Sequence, residues 1–439
     1  MRAIFAPVAA LLLTTAVLLF GQGLQGLLVP VEAAAHGFTP RAIGLMGSCY
    51  FAGFVGGSVL GPRLIGRVGH IRSFSILASV AAAAALLYPM FQHEGLWALL
   101  RGVTGLCFAG LYMVIESWLN ERADNATRGR ILATYTSINL LAIMGGQLLL
   151  QLPDASGFGR FAVVSVLVSL AGVPVALTRT LQPQAIATPR VDLRALYSMS
   201  PLALVGGVFI GLAGACFWTL GPLFAAGTGH GDAFVAYFMS SAVLGGALAQ
   251  WPLGRLSDAL DRRKVIFVVA AAAALAGIVL AVAGRIGAPP GVLIALAVLQ
   301  GGSSLSLWSI VVAHANDTAR DGEFVRLSSS LLIVYGIGAA LGPLLTAPLS
   351  GKFGYTAVFV STAIFHAMLA MFVLYRMGLR EIVSHKKFVA VPRTSTSVFQ
   401  LDPRAENAED APPGDEPPPP DARDSGETGP RNASDQNAA

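Results

Sequence analysis

The sequence predicts an all-α membrane protein, with twelve transmembrane helices arranged as two pseudo-symmetric six-helix bundles. Three observations predict it. Of 439 residues, 54% are hydrophobic and 12% charged, about half the charge of a soluble globular chain. The apolar residues fall in runs long enough to cross a bilayer, and the second half of the chain repeats features of the first. The charge is also unevenly placed. Beyond residue 400 stand ten acids and three arginines, leaving 26 Lys/Arg and 14 Asp/Glu in residues 1–400, a net of +12 on an almost wholly apolar body. That excludes a soluble enzyme, and it excludes a nucleic-acid binder, which needs its basic charge on a water-exposed face. The partners implied are the lipid bilayer and a small solute.

Spans of about 20 mostly apolar residues are predicted over 5–31, 42–61, 73–91, 96–119, 130–152 and 160–178, then over 201–226, 233–253, 265–284, 290–313, 326–349 and 355–377. The first run is too long for the apolar core of a signal peptide. With the N-terminus inside, the inner segments hold 20 Lys/Arg and the outer loops four, Arg41, Arg160, Arg285 and Lys352. Positive charge favours the cytoplasmic side, so both termini are expected there, in the plasma membrane (the inner membrane of a bacterium). Domain boundaries follow: a bundle over 1–178, a polar basic linker over 179–200, a second bundle over 201–380 and a Pro-rich acidic tail over 381–439. From about 388 onward the tail is expected to be disordered and solvated. Cys49, Cys107 and Cys216 each sit in an apolar run, so no disulfide is expected.

The repeat is explicit. Span four ends Leu111-Tyr-Met-Val-Ile-Glu-Ser-Trp-Leu-Asn120 and span ten ends Leu307-Trp-Ser-Ile-Val-Val-Ala-His-Ala-Asn316. The register holds through the following loops to Arg130 and Arg326. After spans two and eight come Gly61-Pro-Arg-Leu-Ile-Gly-Arg-Val-Gly-His-Ile-Arg72 and Gly254-Arg-Leu-Ser-Asp-Ala-Leu-Asp-Arg-Arg-Lys264, both compact loops of glycine and arginine. Paired repeats place a transporter's substrate site between halves at mid-depth.

The string Gly254-x-Leu256-Ser257-Asp258-x-x-Asp261-Arg262-Arg263 resembles the loop signature of the major facilitator superfamily. Arg101, Gly105 and Gly110 in span four are similar to the family's R-x-x-x-G pattern. Within the superfamily, Glu116-Ser-Trp-Leu-Asn120 and His314-Ala-Asn-Asp317 resemble the YcaD-like bacterial subgroup. The resemblance implies a secondary active transporter working by alternating access, proton coupling as one option, with export the direction suggested by family analogy. The other reading is a receptor or scaffold that keeps the fold and acts through its acidic tail. Two departures stand out. The loop after span two lacks the family's acid, and span five has Gly145-Gly146-Gln147 where drug antiporters carry Gly-Pro.

Charge at bilayer depth is costly and marks functional candidates. Arg101 and Glu116 share one face of span four, about 22 Å apart along the helix. Arg101 is expected in the substrate cavity. Glu116 is a proton-coupling candidate, the alternative being an ion pair with Arg128 or Arg130. Glu32, after Pro30, is a second coupling candidate, or interfacial. Gln22 and Gln25 are expected to wall the cavity or to bond Gln147 or Asn139. The family's use of spans one, four, seven and ten to line its path adds Trp218 and Trp308. By the same resemblance, Asp258, with Arg262 and Arg263, is expected to latch the cytoplasmic side against Arg128 and Arg130 at the start of span five. A loop-internal pair with Arg255 or Arg262 is the alternative. No nucleotide-binding string, metal-ligand spacing or catalytic constellation is found, so neither enzyme activity nor a cofactor is expected, and a monomer suffices for function.

Overall fold

The computed structural model describes residues 8–123, 127–154, 157–177, 191–319, 323–378 and 388–402. The tail beyond 402 and most of the predicted linker lie outside the described residues. Inside a bilayer every backbone N–H and C=O needs an internal partner, and long helices supply it. They are α1 Ala9–Ala35, α2 Pro40–Val68, α3 His70–Met90, α4 Glu94–Arg122, α5 Arg128–Leu148 and α6 Gly159–Leu170. The second set is α7 Pro201–Gly227, α8 Gly231–Ala259, α9 Arg262–Arg285, α10 Pro290–Asp317, α11 Phe324–Phe353 and α12 Ala357–Met377. These coincide in order with the twelve expected spans. Their ends are fixed locally: Thr39 caps α2 by accepting from the Ala42 N–H at 3.2 Å, with Pro40 at the first helical position. The sixth span is the short one. It breaks at Ala171 and resumes over Gly172–Ala176; Pro174 has no N–H to give the Leu170 carbonyl four residues back.

Within the first bundle α2 packs on α4, α1 on α5 and α3 on α6; the second repeats this as α8 on α10, α7 on α11 and α9 on α12. Glycine makes the tightest pairs possible. A Cβ on Gly53 or Gly105 would collide with the carbonyl of Gly102 or Tyr50 across α2–α4, and one on Gly245 or Gly301 with that of Val298 or Ala242 across α8–α10. Backbone contact through small residues is how membrane helices associate without a hydrophobic driving force.

One end of the bundle carries the arginine-rich loops, the other the arginine-poor ones. The two bundles meet at the arginine-poor end. There Gly44 abuts Ala347 and Pro343, and the Ser240 hydroxyl donates to Gln147 Oε1 at 3.2 Å.

Towards the arginine-rich end, residues 388–402 lie between the bundles, against α4, α5 and α11. Thr396–Leu401 form a 3₁₀ turn in which Val398, Phe399 and Leu401 are wholly buried. This corrects the expectation of disorder from residue 388. The stretch carries Phe388, Val389, Val391, Val398, Phe399 and Leu401, and acids start only at Asp402. It therefore has apolar surface to bury, unlike the acidic run after it.

Candidate functional site: a cavity between the bundles

A cavity of about 240 Å³ opens between the bundles, walled by α1, α2, α4, α5, α7, α8, α10 and α11 and floored by Val391–Thr394. Gln22, Gln25, Arg101, Trp218 and Trp308 all line it. Gln22 organises one wall: its Nε2 donates to Tyr50 Oη at 2.8 Å, and the Tyr112 hydroxyl donates to its Oε1. The Arg101 guanidinium stacks 4.3 Å over the Tyr50 ring, a cation–π contact that leaves its edge free for hydrogen bonding. Among the described residues no carboxylate pairs with Arg101, and none lines the cavity. Among the described residues the Gln25 amide nitrogen and the Trp308 indole N–H have no hydrogen-bond partner. Buried donors normally have one. The glutamines are not paired with the α5 amides. Gln147 takes Ser240 from α8, and Asn139 donates to the Tyr135 carbonyl of its own helix.

Glu116 lies fully buried below the cavity. It accepts from the Tyr135 hydroxyl at 2.7 Å and from the hydroxyls of Thr394 and Ser395. Hydroxyl groups, not guanidinium groups, satisfy it, so the ion pair with Arg128 or Arg130 is not formed; Arg130 is exposed at the start of α5 and Arg128 half-buried. Glu32 lies at the opposite, arginine-poor end, 3.9 Å from Arg160 at the start of α6. Arg160 also bonds Asp232 at the start of α8, 2.7 Å away, a charged contact that spans the two bundles.

The latch expected of Asp258 is not formed with α5. Asp258 pairs with Arg262 at 2.8 Å, and Arg262, itself fully buried, reaches Asp317 at 2.8 Å. Arg263 pairs with Asp261 at 2.9 Å. The physical reason is proximity: Asp258 and Arg262 are four residues apart, where side chains meet without ordering a second bundle. The same Oδ1 of Asp258 also accepts the Phe388 backbone N–H at 2.8 Å.

A profile of the Major Facilitator Superfamily matches residues 11–240 and 203–403. The chain belongs to the major facilitator superfamily. Among known proteins it is 28% identical over 360 residues to "Uncharacterized MFS-type transporter YcaD" of Escherichia coli O139:H28, covering 81% of this chain and 92% of the relative. A relative of the same name from Shigella sonnei matches equally. Two solved structures share the fold at low identity. The nucleoside transporter NupG aligns with TM-score 0.67 at 13% identity, over 87% of this chain and all of that one. A bacterial homologue of the human lysosomal transporter Spinster, inward-facing and occupied, aligns with TM-score 0.66 at 15% identity, over 87% and 98%. As in other members of the superfamily, the chain is a transporter, a multi-pass membrane protein and not an enzyme.

Sequence reasoning missed Tyr50, Tyr335 and the tail residues Arg393, Thr394 and Ser395. Tyrosines inside apolar runs read as packing. The tail carried a signal: a short apolar stretch with hydroxyl residues ahead of the acidic run.

Proposed function

We propose that this superfamily member is an alternating-access carrier for a small solute bearing an anionic group, acting in the plasma membrane with both termini in the cytoplasm. The observation that carries the reading is Arg101, a guanidinium facing a central cavity with no carboxylate opposite it among the described residues. Half-buried Arg101 and Arg393 both face this cavity with no carboxylate lining it among the described residues, which is costly; an anion arriving in the cavity offsets that cost and gains bidentate geometry. The rest of the wall is mostly apolar and aromatic, with Phe51, Phe54, Trp218 and Trp308, which suits a compact apolar body on the solute. The closed arginine-poor end supports a state facing the arginine-rich side. So does the poorer match, TM-score 0.53, to the transporter FucP in an outward conformation. Glu116 is the proposed protonation-linked group, since it joins α4, α5 and the tail.

Counterflow in proteoliposomes tests the reading with matched aromatic probes, benzoate, benzamide and benzylamine. Exchange should favour the acid, and Arg101→Ala should abolish it while leaving folded protein in the membrane. Equal exchange of all three, or wild-type exchange by Arg101→Ala, removes the anion from the proposal.

A further inference from the structure

We propose that residues 388–402 are a built-in plug of the central cavity, an internal occupant that must leave before a solute can pass the arginine-rich end. The inference rests on reading the cavity as the solute's route, but its test reads only where the plug sits.

Three separate attachments support it. At the entrance, the Phe388 ring packs where Gly254 has no side chain, its Cγ 3.0 Å from the place a Cβ would take. Its backbone N–H donates to Asp258 at 2.8 and 3.1 Å. The glycine and the acid in the last turns of α8 thus form a seat for the segment. At the cavity floor, Arg393 sits 5.3 Å over the Tyr335 ring of α11, which itself meets Trp308 edge-on at 5.1 Å. Val391, Pro392 and Thr394 close the floor around it. Deeper, Thr394 and Ser395 occupy both oxygens of Glu116 on α4, and Val398, Phe399 and Leu401 are buried.

The attachments fall on both bundles. Asp258, Gly254 and Tyr335 belong to the second; Glu116 belongs to the first. A segment so held fills the mouth and also ties together halves that have to move relative to each other. Its grip combines a few hydrogen bonds with buried apolar side chains, and it has no strand or long helix to unfold, so it can be released without disturbing the twelve spans. Val391–Thr394 take up space on the cavity's floor that a solute leaving towards the arginine-rich end has to cross, so plug and solute exclude each other.

The test uses full-length protein in nanodiscs, where both faces meet the reagent and orientation does not matter. Cys49, Cys107 and Cys216 are replaced by alanine, and Thr136→Cys on the cavity wall reports access to a charged maleimide. Thr394→Ala with Ser395→Ala should raise its labelling rate about tenfold, as a site freed from a mostly seated occupant requires. An unchanged rate in folded protein overturns the plug. Independently, Gly254→Cys with Phe388→Cys should form a disulfide on oxidation and lower labelling about tenfold until reductant is added. Failure of the pair to form, or labelling unaffected once it has formed, also overturns the proposal.

Discussion

Three hydroxyl donors converge on the two oxygens of Glu116, from Tyr135, Thr394 and Ser395. Hydrogen bonds to a charged acceptor contribute about 1.5–3 kcal/mol each. A glutamine offers one acceptor oxygen and two N–H donors, so Glu116→Gln sets an N–H against at least one hydroxyl. It should flatten the pH dependence of net transport while solute binding persists; an unchanged pH profile would leave the carboxylate a purely positional role. Arg101 was legible in the sequence because a charge interrupting an apolar run has few structural explanations. Its stacking partner Tyr50 was not, because a tyrosine there fits packing equally well. One arithmetic signal went unread. The loops account for 24 of the 26 basic residues in 1–400, and the two left over, Arg101 and Arg393, both line the cavity.

Helix existence and order were legible from run length alone, because lipid tolerates no other spanning structure in a chain of this composition. Helix ends were less so. The α8 and α11 helices run several residues beyond their expected cytoplasmic or outer limits, to Ala259 and Phe353, since polar residues at a helix end are free to continue it into water. The close α2–α4 and α8–α10 contacts depend on positions no apolar-run argument singles out. Gly105→Leu should lower the thermal midpoint in detergent, costing about 1–3 kcal/mol or more through forced separation of α2 and α4. Gly301→Leu should do the same across α8–α10. Gly56→Ala, which meets nothing within 4 Å, should leave the midpoint unchanged. Equal midpoints for all three would mean that the helix pairs accommodate the added volume.

Taken whole, the molecule closes its two ends by different means. The arginine-poor end is shut by helix contact and by the Arg160–Asp232 pair across the bundles. A partly exposed pair contributes about 1 kcal/mol or less. Asp232→Asn should therefore raise labelling of Thr219→Cys from that face about two- to five-fold, and no change would relegate the pair to the surface. In intact cells His230→Cys should label and Lys264→Cys should not; the reverse pattern inverts the proposed orientation. The latch expected of Asp258 belongs to a state closed at the other end; in the present state Asp258 pairs with Arg262, four residues on. The role expected of a salt bridge falls to the tail.

That tail is joined to α12 through only ten residues, 378–387. A tethered ligand meets its site at an effective concentration on the order of millimolar, whatever the amount of protein in the cell. A solute competing for the same cavity must match that figure, weighted by its relative affinity, before it displaces the segment. Half-maximal flux would then need a higher solute level than the cavity's own affinity sets. The carrier would behave as a relief valve, idle at low load and opening when its cargo accumulates.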